Sequence, residues 1–404
     1  MISLKAIAAT MLAAAAFVAC NTSPVEQSID TQLTVSPDSV VVGVYESSPL
    51  TATVRDANGT LQQGLALQYI SRDPSVASVN ANGAISAMAV GATYVVATLA
   101  GRPEVRDSVR VRVHADSCTG ARPDFGGMAT AADRALFSYD GTAPLNLQKT
   151  VTSTLNGVEV SNISFTSPDG GVVNGMLWDP VTRQGPRPGV VLMHGLPGNE
   201  TSLTWLAQIY AQSGAVVITI GAPWNRRAGP ELTFTPQDRV EQIAVIKDLQ
   251  RAVDVLRARP NVDGGRIAFV GFSWGGATGA LFVGIERRLK AAALVVGHGG
   301  QVSHLTGPVG SKLIAHLPCA RRVDWIRGMA PVEPLRYVGN ANVPLLLQNA
   351  RFDEYVPTYE AEELHAAAPP SRTVLWYNTG HNLGQQTAID RHDWLVAQIG
   401  LDPR

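Results

Sequence analysis

Beyond about residue 158 the chain alternates short, unbroken apolar runs with longer amphipathic stretches, and no other feature restricts its fold as much. "PGVVLMHG", "AVVITIG", "RIAFVGF", "AAALVVG", "VPLLLQN" and "TVLWYN" are rich in Val, Ile and Leu, as strands covered on both faces are. Between them lie helical stretches: "SLTWLAQIYAQSG", closed by glycine, residues 236–258, Gly275 to about Glu286, and the segments near 357–367 and 386–399. In the longest of these, Val240, Ile243, Ile246, Leu249, Val253 and Leu256 recur at helical spacing and read as its apolar face. Strands joined through helices run mostly parallel, with helices packed on both sides of the sheet. The fold class is therefore α/β. Two further strands, "EVSNISFTS" and "GVVNGMLWD", meet at the turn "SPDGG" just before the alternation starts.

The first third reads differently. From 30 to 115, short Val- and Thr-rich runs are separated by turn signals such as Asn58-Gly59, Asp73-Pro74 and Asn82-Gly83, without helical periodicity. That texture predicts a small antiparallel all-β sandwich. The run "SRDPSVASVNANGAISAMAVGATYVVAT" resembles bacterial immunoglobulin-like domains of surface and secreted proteins, which implies a spacer; it holds no ionisable cluster suited to chemistry. Residues 116–150, rich in Gly, Pro and Ala, read as a linker and lead-in to an α/β body at 151–404. Within that body, 298–341 interrupts the alternation and reads as an irregular insertion. With 32 basic and 33 acidic residues interspersed, nothing offers the basic footprint of a nucleic-acid binder.

The start is a targeting segment. Lys5 precedes an apolar stretch from Ala6 to Ala19 that is too short to span a bilayer, so residues 1–19 read as a secretory signal. "FVAC" resembles the lipobox of bacterial lipoproteins, with Phe17 where leucine is usual. The resemblance implies lipidation of Cys20, anchoring to a membrane and a place in the cell envelope. Cys118 and Cys319 are then the remaining thiols of an exported chain, and a disulfide between them is expected.

"GRIAFVGFSWGGATGA" carries the chemistry. G-x-S-x-G alone is weak, because a chain of this glycine content yields about 0.2 chance matches. Here Ser273 follows a buried strand and precedes a small-residue helix, the setting of a nucleophile elbow, at the strand's carboxyl end where α/β sheets place their sites. A serine nucleophile needs a base, and the base an orienting acid. "VPLLLQNARFDEYVP" ends a strand with Asp353 and Glu354, and "TVLWYNTGHN" ends the next with His381. The order Ser, acid, His suits such hydrolases.

These stretches, with "PGVVLMHGLPGN" and "DLQRAVDVLRARPNVDGG", make residues from about 158 onward similar to the α/β-hydrolase superfamily, in particular its dienelactone-hydrolase-like and prolyl-oligopeptidase-like esterase branch. The resemblance implies Ser273 as nucleophile, His381 as base and Asp353 as acid, since Asp353 meets the D-x-x-V-P spacing with Val356 and Pro357. It implies oxyanion donors at the backbone of Trp274 and of Leu196, with Gly195 second, and a loop-shaping role for His194. An insertion such as 298–341 caps the cleft in this superfamily. His298 and His304 read as lining or surface residues, and Arg226 and Arg227 as a solvated or salt-bridged loop. No H-E-x-x-H, C-x-x-C or carboxylate cluster suggests a metal, and no cofactor is implied. The expected activity is hydrolysis of a small-molecule ester. The alternatives are a serine peptidase, and a surface adhesion or scaffold lipoprotein with an inactive hydrolase domain. If Cys20 carries the lipid, Cys20→Ser moves the protein from the membrane fraction to the soluble exported fraction with activity intact; a wild-type protein found wholly soluble contradicts the anchor.

Overall fold

The computed structural model describes residues 31–44, 46–114, 125, 127–307, 310–314 and 317–403. Cys20 and Cys118 lie outside them.

In the N-terminal body, alternation along Gln32–Ser36, Gly91–Leu99 and Arg102–His114 turns Val35, Val95, Val109, Val111 and Val113 inward and their neighbours outward. The strands are Gln32–Ser36 (β1), Ser39–Gly43 (β2), Ser47–Pro49 (β3), Thr51–Arg55 (β4), Leu61–Gln62 (β5), Leu67–Ser71 (β6), Ala77–Val79 (β7), Ala84–Ala87 (β8), Gly91–Leu99 (β9) and Arg102–His114 (β10). They pair as three small sheets, β1-β4-β5, β2-β10-β9-β6 and β3-β8-β7. Val35, Ile85, Val95, Val109 and Val111 meet in their shared core. The sandwich is not wholly antiparallel as expected: β2 runs parallel to β10, with Val40 opposite Val111. A period of two cannot report strand direction, and partners so far apart in sequence need no hairpin between them. Gly59 and Gly83, at φ +78° and +79°, make the turns that the Asn-Gly pairs signalled.

The C-terminal body is built on a nine-stranded sheet: Gln148–Leu155 (β11), Val158–Thr166 (β12), Val172–Asp179 (β13), Arg187–Met193 (β14), Val216–Ile220 (β15), Val262–Phe272 (β16), Ala291–Val295 (β17), Leu345–Ala350 (β18) and Thr373–Tyr377 (β19). Their order is β11-β12-β13-β15-β14-β16-β17-β18-β19. The first strands pair antiparallel through the β13–β15 contact, and every pair from β15 to β19 is parallel. The chain leaves β14 toward β15 on one side and leaves β16 toward β17 on the other. A crevice therefore opens between the carboxyl ends of β14 and β16.

Helices cover both faces. On one, Pro236–Arg257 (α3), Trp274–Ile285 (α4) and Thr358–Ala367 (α8) pack Leu249, Val253, Phe282 and Leu364 against Val191, Phe269 and Leu347. On the other, Thr204–Gln212 (α2) and Gln385–Ile399 (α9) pack Leu206, Tyr210, Leu395 and Ile399 against Val190, Leu192 and Val270. Helix α3 begins with Pro236 at its first position, and the Thr235 hydroxyl accepts the Gln237 N–H at 3.3 Å. One residue of its expected apolar face is misplaced: Val240 is 54% exposed. At about 100° per residue it lies roughly opposite Leu249. The buried stripe is instead Val245, Ile246, Leu249, Ala252, Val253 and Leu256.

Two irregular-looking segments prove structured. Residues 127–147, expected as part of a linker and lead-in, contain Ala131–Ala135 (α1), closed by a Thr130–Asp133 capping box. Phe137 is 1% exposed and meets Tyr337 edge to face at 5.5 Å. The Ala129 N–H donates to the Arg336 carbonyl at 2.6 Å. Single anchors of this kind leave no periodicity to read. Among the described residues of 298–341 most are helical and not irregular: Gln301–Thr306 (α5), Ser311–Ile314 (α6), Cys319–Met329 (α7) and three short 3₁₀ turns ending at Asn340. The Trp325 indole N–H, on α7, donates to Asp238 at the start of α3 at 2.7 Å. Among the described residues no helix is long and apolar enough to cross a membrane.

Phe137→Ala should destabilise the C-terminal body by about 3–5 kcal/mol, the usual cost of emptying a buried aromatic site. The check is the urea midpoint of the transition that carries loss of C-terminal tertiary structure; an unchanged midpoint would show that this segment only tethers the two bodies.

Candidate active site

Strand β16 ends at Phe272 and helix α4 begins at Trp274, so one residue makes the entire turn. Ser273 makes it at φ 54°, ψ −117°, a backbone conformation costly for any residue with a side chain. Three hydrogen-bonded contacts hold it there: its N–H donates to Val295 O on β17 at 2.8 Å, its carbonyl accepts the Ala277 N–H at 3.0 Å, and its Oγ reaches His381. The turn is tight enough to exclude side chains beside it. A Cβ on Gly271 would stand 2.1 Å from the Gly275 carbonyl oxygen, and one on Gly275 2.4–2.5 Å from the carbonyl oxygens of Met193 and His194. The glycines around the serine are thus required by packing, Gly271 against the first turn of α4 and Gly275 against the end of β14.

His381, in the loop after β19, directs Nε2 at Ser273 Oγ at 3.0 Å. Its Nδ1 lies 2.9 and 2.8 Å from the two carboxylate oxygens of Asp353, in the loop after β18. Those partners set the tautomer: Nδ1–H donates to Asp353, and the Nε2 lone pair faces the hydroxyl. Asp353 is itself fixed, because Oδ1 accepts the N–H groups of Tyr355 at 2.9 Å and Val356 at 2.8 Å. Glu354, the competing acid by position, accepts the backbone N–H of His381 at 3.2 Å and does not address the ring. The structure thus brings Ser273, His381 and Asp353 into one hydrogen-bonded line, an arrangement able to remove a proton from the serine as it attacks an electrophile.

The loop after β14 closes in from the other side. A Cβ on Gly195 would sit 3.0 Å from Ser273 Cβ, so the Gly195–Leu196 backbone runs beside the nucleophile. Trp274, the first residue of α4, carries a backbone N–H without an intrahelical partner, as the start of any helix does. His194 holds this loop in shape. Burial pushes its pKa down, its Nδ1–H donates to Gly195 O at 2.7 Å, and its ring stacks on Trp274 at 6.2 Å.

The remaining candidates separate cleanly. Arg226 pairs with the buried Asp248, and Arg227 with Glu241 through Nη2 at 2.9 Å; both guanidiniums are spent on holding α3. His298 and His304 are neither surface nor simple lining residues. His298 is 5% exposed, its ring lies 4.7 Å from that of His304, and His304 Nδ1 is 2.8 Å from the wholly buried Glu360. Burial, then the neighbouring His304, drives the His298 pKa well below its usual value. Burial also opposes charge on His304, yet the Glu360 carboxylate holds its pKa above the usual value. Tyr355 was not anticipated: 59% exposed, it sets its ring edgewise on His381 at 5.1 Å. Its position two residues past Asp353 was the one available signal. A cavity of about 650 Å³ lies between α3 and α7, with Phe234, Arg321, Trp325 and Met329 in its walls; none of its lining residues belongs to the Ser273 line.

The sequence model of the dienelactone hydrolase family matches residues 173–382, and that of the bacterial Ig-like domain (group 2) matches residues 30–108. Among curated proteins, the uncharacterized peptidase YuxL of Bacillus subtilis (strain 168) is 26% identical over 234 residues, covering 55% of this chain and 35% of that protein. The chain thus spans about a third of that relative's length. Among solved structures, acetyl xylan esterase from Paenibacillus sp. R4 superposes with a TM-score of 0.54 at 18% identity, covering 66% of this chain and 92% of that one. Acetyl xylan esterase 1 from Thermoanaerobacterium sp. JW/SL YS485 gives 0.56 at 12% identity, covering 69% and 96%. At these identities the two structures speak to the fold, which they share with the C-terminal body.

Ser273→Ala and His381→Ala should each remove nearly all turnover of an activated aryl ester without unfolding the protein. Asp353→Asn should lower kcat by about 10⁴-fold, because the imidazole loses the partner that sets its tautomer. Glu354→Gln should cost no more than about tenfold, since the hydrogen bond it accepts only steadies backbone. Near-normal kcat for Asp353→Asn beside a crippled Glu354→Gln would reverse the assignment of the acid.

Proposed function

Because the chain belongs to the dienelactone hydrolase family, we propose that it is an exported serine hydrolase that cleaves carboxylic esters of small molecules through Ser273, His381 and Asp353. The observation that carries the reading is the continuous line from Ser273 Oγ through the His381 ring to Asp353, on a serine held at positive φ. His381 Nε2 takes the hydroxyl proton as Ser273 Oγ bonds to the acyl carbon, and the carbonyl oxygen becomes an oxyanion. The backbone N–H groups of Trp274 and Leu196 receive that charge in this reading, with Gly195 beside them. The C–O bond to the alcohol breaks as His381 passes its proton to the leaving oxygen, leaving an acyl-serine. Water then loses a proton to His381 and attacks the acyl carbon. Ser273 departs, recovers the proton and frees the carboxylic acid. Asp353 orients the ring and stabilises the imidazolium through its contact with Nδ1.

Export and anchoring through Cys20 belong to the same proposal, with the Ig-like body as the spacer between lipid and catalytic domain. The peptidase name of the Bacillus subtilis relative keeps amide cleavage as the second reading. An amine leaving group must be protonated as it departs and the amide barrier is higher, so peptidases draw on remote substrate contacts to lower it. The accessory body here matches a bacterial Ig-like domain, which this reading takes as a spacer and not as a source of substrate contacts. Comparison of kcat/KM for an aryl acetate or butyrate with a panel of peptide anilides is expected to favour the esters by orders of magnitude. An anilide cleaved as well as the esters would move the assignment to peptidase and leave the nucleophile in place.

A further inference from the structure

We propose that His298, His304 and Glu360 form a binding site for one divalent transition-metal ion of the zinc class. This inference stands apart from the ester reading, because it concerns a second cluster and needs no turnover to test.

The three donors come from three places. His298 follows β17, His304 lies on α5, and Glu360 sits in the first turn of α8. Each offers one ligand atom, and the three atoms all lie within 4.8 Å of one another. A tetrahedral zinc ion with bonds of about 2.0–2.1 Å holds its ligands roughly 3.4 Å apart. A side-chain adjustment of about an ångström therefore closes the set. Two imidazoles and one carboxylate suit zinc, cobalt or nickel, whereas magnesium and calcium prefer oxygen donors throughout.

The surroundings are those of a ligand set and not of a lone ion pair. His298 Nδ1 lies 3.0 Å from the Gly300 carbonyl oxygen and 3.2 Å from the Gly300 backbone nitrogen; the tautomer that donates Nδ1–H to the carbonyl presents its Nε2 lone pair to a cation, and zinc-bound histidines are oriented by such carbonyls. Glu360 Oε2 meets His304 Nδ1 at 2.8 Å, and Oε1 accepts the Tyr359 hydroxyl at 2.9 Å, so the carboxylate is also oriented from behind. A His304–Glu360 ion pair accounts for two of the groups. It gives no reason for a third, largely buried imidazole with its ring 4.7 Å from that of His304. A metal ion does, since it would take one ligand atom from each of the three groups, and those atoms lie within 4.8 Å of one another. His304 keeps 19% of its side chain exposed, which provides a way in. Three protein ligands leave a fourth coordination position open. The cluster also interacts electrostatically with the candidate active site, His298 with His381 and His304 with Asp353.

The experiment uses the full chain, stripped with chelator, titrated calorimetrically with zinc chloride and separately with cobalt chloride while visible absorption is followed. One zinc per chain is expected, with cobalt giving the intense visible bands of a four-coordinate site. His298→Gln and His304→Gln, each checked for folding by circular dichroism, should weaken zinc binding at least tenfold, while His381→Ala leaves it within twofold. Absence of stoichiometric binding by the wild type overturns the site. So does affinity that survives in both glutamine variants, or that disappears in His381→Ala, which would make the catalytic imidazole the ligand. The wild-type titrations need no substitution, so a variant that fails to fold leaves the proposal exposed to refutation.

Discussion

The close approach of two backbones governs this molecule. The first turn of α4 lies against the end of β14 with no room for a Cβ on Gly275, whose neighbours are the carbonyl oxygens of Met193 and His194. That contact seats Ser273 at positive φ, over the crevice between β14 and β16, and presses Gly195 against it. The strain at Ser273 costs of order 1–3 kcal/mol and persists because the surrounding sheet over-determines it. The apolar layers on both faces of the sheet supply that rigidity.

Around this fixed point the loops divide labour by their hydrogen bonds. The β18 loop uses two backbone N–H groups to hold Asp353, and Glu354 next to it steadies the backbone of His381. Two adjacent carboxylates thus serve one imidazole, one through its ring and the other through its main chain. The β14 loop is held by His194, whose pKa burial pushes down and whose Nδ1–H donates to the Gly195 carbonyl. Loop residues placed by a rigid scaffold are the usual carriers of function, and here each has an identifiable tether.

The segment 298–341 shows how an interruption in a regular fold becomes structure. It contributes α5 and α7. The Trp325 indole on α7 and the backbone N–H groups of Thr233 and Phe234 all donate to one carboxylate, Asp238. Glu333 does the same for the start of α5, accepting from the N–H groups of Val302 and Ser303. Buried carboxylates with several donors are costly to leave unsatisfied, so each fixes the geometry of the helices it joins. Through α5 the segment sets His304 beside His298 and Glu360, next to the loop that carries Asp353.

The sequence by itself determined eight of the nine strands of the sheet, all but the edge strand β11, most helix positions outside 298–341, the strand–turn–helix setting of Ser273 and the order in which Ser273, Asp353 and His381 follow their strands. All of these rest on local signals: apolar runs, helical spacing, glycines flanking a serine, and polar residues at strand ends. It misjudged Val240, because a valine at near-helical spacing can still fall on the solvent side of a long helix. It offered both Asp353 and Glu354 at the strand end and preferred Asp353 only through a family resemblance in the D-x-x-V-P spacing; the fold shows directly that Asp353 is the carboxylate facing the ring. It saw no order in residues 127–147, whose anchors Phe137 and Ala129 find partners two hundred residues away. It looked for metal ligands in local motifs and passed over His298, His304 and Glu360, which no spacing connects. Only tertiary structure brings these groups together, because the sheet order places the ends of β17 and β18 side by side, and adjacency across parallel strands leaves no trace along the chain.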